Sequence, residues 1–453
     1  VNAPAIVWLR QDLRLHDHPA LVAAAAERPV IPLYVLDDET PAAWRIGGAQ
    51  RWWLHHSLAS LADSLAGLGS KLILRRGKAQ DIIASLLKET GARTVHAIAH
   101  YEPWWRQTEE ALGDKLGLHP GGRLADLEHV RNGSRKPFRI YSAFWRALQP
   151  HLPPEPPLAS PEQLAPPINW PHSDTLAKWD LLPSNPDWAA GFGRTWQPGE
   201  ADALRKLDDW AGEVHTYADT RDLPSCAGTS TLSPHLHFGE LSPRTLYARI
   251  DGREQAEKFI KELAWRDFTA GLITALPRYA DQNGRAKYDR MPWRTGAAAG
   301  RDLRAWQQGH TGYPIVDAGM RQLWTIGWMH NRVRMIAASF LVRHLLIDWR
   351  EGERWFWDCL VDADYGNNAV NWQWVAGTGA DANMFSRIMA PLSQSEKFGA
   401  GDYIRLWVPE LAGLPDAAIH DPDAAGCRPN NYPAKIVEHR QARARALEAM
   451  SQL

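Results

Sequence analysis

The residue types best suited to chemistry gather in three stretches of the C-terminal half. In the first, Thr229-Ser-Thr-Leu-Ser233 crowds hydroxyls ahead of Ser233-Pro234, which reads as an N-cap followed by proline at the first helical position. Hydroxyls beside the exposed N–H groups of a helix N-terminus suit a phosphate. They suit an ordinary cap with a polar lead-in as well, and spacing by itself favours the cap. His235 and His237 follow as an HxH pair without a third ligand, a pattern more often structural than metal-binding. In the second stretch, a helix over about 255–271 brings Phe259, Glu262, Trp265 and Arg266 to one face. That face is either a surface Glu262–Arg266 pair worth about 0.3 kcal/mol beside buried aromatics, or a site wall with a carboxylate, a guanidinium and a flat ring. Spacing alone again favours the plainer version. In the third, Gly327-Trp-Met-His-Asn-Arg-Val-Arg-Met335 starts a helix on which Asn331, Arg334 and Met335 offer an amide, a cation and a thioether. Asp362-Ala-Asp364-Tyr-Gly-Asn-Asn368 and Asn371-Trp-Gln-Trp374 come next. The DxD suggests a divalent metal at first sight. The glycine and ligand spacing of an EF-hand is missing, however, and tryptophans rather than carboxylates flank it, so no metal site is expected.

The elements that must position these residues fall into two kinds. Over the first 130 residues, Ala5-Ile-Val-Trp-Leu9, Pro29-Val-Ile-Pro-Leu-Tyr-Val-Leu36, Lys71-Leu-Ile-Leu74 and Thr94-Val-His-Ala-Ile98 are short apolar runs. Alanine- and leucine-rich stretches of helical periodicity, such as 50–68, separate them. This alternation predicts an α/β domain with a Rossmann-like parallel sheet covered on both faces. No GxGxxG follows the first strand, which weakens a dinucleotide-binding reading of this domain. Prolines then crowd residues 149–200 and exclude long helices, so 131–200 reads as a connector over the surface. Residues 201–453 are helical in pattern, with Ser242-Pro243 as a further cap and Gly312, Gly327 and Gly352 punctuating the later helices.

Composition narrows the class. The chain has 453 residues, long enough for two or three domains, and a hydrophobic share of 45% typical of a soluble globular protein. Its three cysteines, Cys226, Cys359 and Cys427, form neither a CxxC pair nor an even set, which favours a reducing compartment. Without a signal-like or membrane-spanning run, the cytoplasm is the default. The net charge of -1 does not advertise nucleic acid, although a local basic groove could be offset elsewhere. Tryptophan is the outlier at 23 residues. Such enrichment suits stacking on flat ligands or electron transfer between rings.

Read together, these stretches resemble the photolyase/cryptochrome family. The resemblance is carried by Trp8-Leu-Arg-Gln-Asp-Leu-Arg-Leu-His-Asp-His-Pro-Ala-Leu21, residues 228–242, Thr311-Gly-Tyr-Pro-Ile-Val-Asp-Ala-Gly-Met-Arg321, residues 327–335, Asp348-Trp-Arg-Glu-Gly-Glu353 and residues 362–398. They run in the family's order from the first strand to beyond Pro409, with only the connector and residues 296–300 loose. The resemblance implies an N-terminal antenna domain and an all-α C-terminal domain holding a folded FAD. It assigns Tyr217, Thr229, Ser230, Thr231, Leu232 and Ser233 to the phosphate and ribityl side. Glu262, Arg266, Asn331, Arg334, Asp362, Asp364 and Asn368 would line the remainder, with Arg334 and Asp362 paired near the isoalloxazine edge and Asn368 beside N5. Asparagine at 368 resembles photolyases, where plant cryptochromes have aspartate and animal ones cysteine. Asn331 and Met335 resemble the cyclobutane-dimer type, in contrast to the histidine pair of (6-4) enzymes.

The activity that the resemblance implies is that of a light-driven carbon–carbon lyase acting on UV-damaged DNA. The alternative is a blue-light photoreceptor of the cryptochrome type. Trp265 and Trp374 would grip a flipped-out pyrimidine dimer, Met335 would close the pocket, and Glu262 and Asn331 would hydrogen-bond the base edges. Arg332 and Arg387 are candidates for phosphate contacts. Trp372, Trp349 and Trp293 match the family's electron chain, with Trp306 as an alternative exit. A second chromophore, methenyltetrahydrofolate or 8-hydroxy-5-deazaflavin, would lie near His100-Tyr-Glu-Pro-Trp-Trp-Arg106, with Glu102 the first residue to test. A monomer is expected.

Overall fold

The computed structural model describes residues 3–27, 29–380 and 388–453. It divides into two compact units, one of Val1–His215 with Ser230–Pro277, the other of Thr216–Thr229 with Arg278–Leu453.

The first unit is built on five parallel strands, β1 (Ala5–Leu9), β2 (Val30–Leu36), β3 (Ile73–Arg76), β4 (Thr94–Ile98) and β5 (Leu116–His119). Their order is β3-β2-β1-β4-β5. The apolar runs of β1 and β2 are nearly continuous because the strands are buried on both faces. The four expected strands are present. β5 is an addition: Leu116-Gly-Leu-His119 is a short, half-exposed edge strand, too weakly apolar to stand out by pattern. Helices α1 (Pro19–Glu27), α2 (Gly48–Gly67), α3 (Ala79–Thr90) and α4 (Pro103–Leu112) alternate with the strands. Ile83, Leu86 and Leu87 of α3 close a core over Ile6, Trp8, Ile31, Leu33, Ile73 and Val95. Within the connector the longest helix is α5 (Tyr141–Leu148), as the prolines require.

Among the further helices of this unit are α6 (Ser233–His237), α7 (Pro243–Ile250) and α8 (Ala256–Ala275). They were expected with the C-terminal helices, but their contacts tie them to the sheet layer. Trp53 of α2 donates to Glu240, His237 meets Gln50 at 3.0 Å, and Leu13 N–H donates to the Phe238 carbonyl. At Gly239 (φ 65°) a Cβ would strike the Gln11 backbone, so only glycine allows the two chains to approach. His235 bonds Glu240 at 2.6 Å, so both histidines of the HxH pair are structural. Ser242 caps α7 by accepting from Thr245 N–H, with Pro243 at the first helical position. Ser233 departs from expectation. It is the first residue of α6, and Leu232 holds the cap position without a side-chain bond.

The second unit contains α9 (Gly296–Gln307), α10 (Pro314–Ile326), α11 (Asn331–Ser339), α12 (Trp349–Cys359), α13 (Tyr365–Ala376) and α14 (His439–Ser451) among its helices. Three start on side-chain caps: His330 accepts from Arg332 N–H, Asp348 from Arg350 N–H and Asp364 from Asn367 N–H. Gly327 (φ 68°) ends α10 in the left-handed conformation, as punctuation should. Gly352 instead lies inside α12, where the ring of Trp372 occupies the space a Cβ would need. The loose residues at 296–300 form the first turn of α9. Among the described residues, no helix is long and apolar enough to cross a membrane.

Candidate functional site

In the first unit the site residues converge on α8. The Arg266 guanidinium donates to the Leu236 carbonyl of α6 at 3.0 Å, which holds it beside the segment Ser230–Ser233. Its Nη1 is buried without a hydrogen-bond partner. A guanidinium N–H removed from water and left unpaired calls for an acceptor, and an anion is the natural one. Thr231 in the same segment adopts φ 51°, a left-handed conformation costly for a β-branched residue and found where the surroundings impose it. Ser230 turns its hydroxyl to its own segment, accepting from Leu232 N–H at 3.3 Å. These features fit the phosphate side of a flavin nucleotide.

Also on α8, Trp265 is half-buried against Tyr141 (ring centroids 4.5 Å) and Phe268 (5.2 Å). Glu262 is half-buried one turn earlier. Asp267 is fully buried. Its Oδ2 accepts from Leu124 and Ala125 N–H, while Oδ1 has no partner. Burial raises its pKa to about 6, against the opposing pull of Arg123, Arg266 and the two backbone donors.

The second unit holds the remaining residues. Arg334 pairs with Asp362 at 2.9 Å and donates through Nε to the Met329 carbonyl. The DxD therefore divides its labour: Asp362 faces a guanidinium and Asp364 caps α13. Asn368, one turn into α13, donates through Nδ2 to the Glu353 carbonyl at 3.0 Å. Tyr217 is buried with Arg221 over its ring, and Thr229 is half-buried. Asn331 begins α11 and is exposed, and Met335 lies one turn on. Arg332 is already engaged, with its Nη2 2.8 Å from Asp222 and its plane over Phe398. Arg387 lies outside the described residues.

The tryptophans separate by environment. Trp372 is buried and meets Phe356 at 5.0 Å and Trp306 at 6.3 Å. Trp349 is fully buried, donating through Nε1 to Asn283 with Arg350 over its ring. Trp293 is half-buried against Tyr288, Met291 and Leu346. Trp306 is 0% exposed and donates to the Ala337 carbonyl, so it is not a ring at which electrons enter from solvent. Trp374 is half-buried on α13.

A cavity of about 770 Å³ in the first unit lies near the carboxyl ends of β4 and β5. β1 and β4 flank the point where the strand order reverses, the usual ligand crevice of an open α/β sheet. His100, Tyr101, Arg106, Glu109 and Arg123 line it. Glu102 does not. Its carboxylate is buried and accepts from Tyr101 N–H.

Several residues near the site escaped sequence reasoning. Asp222, Tyr141, Glu353, His330 and Asp267 each act on a site residue from another segment or through burial, and no local spacing announces them.

Two family models match this chain, DNA photolyase over residues 5–162 and the FAD binding domain of DNA photolyase over 259–452. The chain belongs to the DNA photolyase family. A deoxyribodipyrimidine photo-lyase of Agrobacterium fabrum is 47% identical over 99% of this chain and 98% of its own length. A class III photolyase structure from Agrobacterium tumefaciens superposes with a TM-score of 0.94 at 45% identity, covering 100% of this chain and 98% of that one. Cryptochrome-1 of Arabidopsis thaliana is 37% identical over 99% of this chain but 70% of its own length. Tyr217 and the segment 229–233 fall between the two matched spans, whereas Glu262, Arg266, Asn331, Arg334, Asp362, Asp364 and Asn368 lie inside the second.

Proposed function

We propose that this chain is a deoxyribodipyrimidine photo-lyase that splits cyclobutane pyrimidine dimers in UV-damaged DNA with light-excited, fully reduced FAD. FAD held by the site residues would supply reversible one-electron chemistry to the lesion, with no net redox change. The protein binds, orients and shields. Arg266, with its unpartnered N–H, and Ser230–Ser233 would take the phosphate and ribityl side with Tyr217 and Thr229. The Arg334–Asp362 pair and Asp364 would meet the isoalloxazine edge. The observation that carries the repair reading is Asn368. One amide N–H is anchored on the Glu353 carbonyl, leaving a second N–H and the oxygen to serve N5 in either protonation state.

Trp265 and Trp374 would stack on the two pyrimidines at about 1–3 kcal/mol per base. Glu262 and Asn331 would hydrogen-bond the base edges, and Met335 would close the pocket. Arg387 would bind phosphate, and Arg332 would do so by exchanging Asp222 for it. Trp293, Trp349 and Trp372 would carry electrons inward. A pterin or deazaflavin antenna would occupy the 770 Å³ cavity, of a size for one such ligand and bearing Arg106 and Arg123 for its anionic groups. Three unpaired cysteines support a reducing cytoplasm, and a monomer suffices for the chemistry.

The test is blue illumination of reduced protein with dimer-containing DNA, counting restored pyrimidines. Light-dependent restoration is expected, and its absence overturns the repair reading in favour of a photoreceptor.

A further inference from the structure

The connector's helix α5 places Tyr141 against the one ring of this unit proposed to touch the lesion. The Tyr141 ring lies 4.5 Å from Trp265 at 51°, and 5.7 Å from Phe268 at 82°. The hydroxyl donates to the Lys261 carbonyl at 2.5 Å. In an α-helix that carbonyl also receives the N–H of the residue four positions on, which here is Trp265. Tyr141 therefore holds Trp265 twice, ring against ring and hydroxyl against the backbone of the same turn. Behind them Phe144 and Phe268 are fully buried (2% each), 5.7 Å apart. Tyr141 and Trp265 are only half-buried and form the open rim of the cluster. Plain helix packing would need no hydroxyl at this position. A ring that must keep one face open for a ligand does need support on the other.

We propose that Tyr141 is a positioning residue for lesion recognition: it fixes the plane of Trp265 on which the flipped-out pyrimidine pair stacks. Selectivity for damaged over undamaged DNA then depends on the connector as well as on α8. The proposal rests on the lesion-stacking role of Trp265. Without the tyrosine ring, Trp265 gains rotamers that binding must freeze again, which weakens affinity for the lesion and leaves phosphate contacts alone.

Tyr141→Leu, Tyr141→Phe, Trp265→Ala and the double variant Tyr141→Leu/Trp265→Ala are compared by binding to dimer-containing and undamaged oligonucleotides. FAD content and melting temperature are followed alongside. Tyr141→Leu is expected to bind the dimer about three- to tenfold more weakly, with undamaged DNA unaffected, FAD retained and the splitting rate at saturating DNA preserved. Tyr141→Phe keeps the ring but loses the hydroxyl's hold on the Lys261 carbonyl, and should fall between the parent protein and Tyr141→Leu, about two- to threefold weaker on the dimer. In the Trp265→Ala background Tyr141→Leu should add nothing, because its effect passes through that ring. Full dimer affinity in Tyr141→Leu, equal weakening on both DNAs, or an undiminished effect in the double variant overturns the proposal. Unchanged dimer binding in Trp265→Ala overturns the lesion role of that ring and this proposal with it, whereas a strong Trp265→Ala effect beside a silent Tyr141→Leu overturns only the role of Tyr141.

Discussion

Gly352→Ala tests how the electron chain is packed. A Cβ at 352 would lie 2.1 Å from Cη2 and 2.6 Å from Cζ3 of Trp372, and 2.7 Å from Cδ2 of Leu341. Carbon atoms rest at about 3.5 Å or more, so the indole would have to retreat by about 1.4 Å. Phe356 at 5.0 Å and Trp306 at 6.3 Å surround the same ring, and it has little free space to enter. Overpacking of this kind costs about 1–3 kcal/mol. Alanine recovers about 1 kcal/mol of helix propensity in the middle of α12. The expected net loss is about 0–2 kcal/mol, seen as a fall of up to a few degrees in the melting temperature of the FAD-bound protein. Displacing Trp372 should also slow photoreduction of oxidised FAD, while repair by chemically reduced enzyme stays near its parent rate. A variant with unchanged melting temperature and unchanged photoreduction would show that the ring is not confined at Gly352, and would sink the argument.

Three further outcomes are expected from the same geometry. Trp372→Phe should slow photoreduction of oxidised FAD yet spare repair by chemically reduced enzyme, and an unchanged photoreduction rate would remove Trp372 from the chain. Asp222→Asn deletes the carboxylate 2.8 Å from Arg332; undamaged DNA should then bind more tightly, because Arg332 no longer gives up an ion pair to reach phosphate, with the salt slope unaltered, and an unaltered affinity would exclude Arg332 as a phosphate ligand. Asp267, raised from 3.8 to about 6 in the fold, binds its proton more tightly folded than unfolded. Its contribution to stability is therefore complete below about pH 4 and lost as pH rises through 6, on the order of 3 kcal/mol in all. Denaturation of the parent protein and Asp267→Asn from pH 4 to 7 should give a difference that changes across this window and is flat above it. A flat difference throughout would mean that the carboxyl titrates normally.

The pattern of the sequence reaches far into this fold, and its failures share a physical origin. Strands β1 and β4 begin and end where their apolar runs do, because burial on both faces leaves no ambiguity about period. The α8 face with Glu262, Trp265 and Arg266 was legible because helical spacing is a local property. What spacing could not choose was between a surface pair and a site wall. The deciding fact, Arg266 Nη1 buried without a partner, is tertiary. Gly352 misled for the same reason: a helix-breaking residue inside α12 makes sense only once Trp372, from another helix, is against it.

The hardest residues to read were those whose chemical form is itself set by the fold. Capping rules favour oxygen-bearing side chains because these accept a hydrogen bond at any neutral pH. His330 caps α11 through Nδ1, which accepts only while the ring is neutral. Burial, with the charges of Arg334 and Arg332 added, lowers its pKa to about 4, against the pull of Asp222, and that neutrality is what makes it a cap. Glu353 is the mirror case. Burial raises its carboxyl well above the usual range, and neither oxygen has a hydrogen-bond partner, so the fold favours its neutral form. A sequence lists a base and an acid at these positions; the fold favours the neutral form of both, one capping α11 and the other on the residue whose carbonyl anchors Asn368. Motif reading therefore locates the residues of such a site, while the protonation states on which its chemistry depends are set only by what is buried around them.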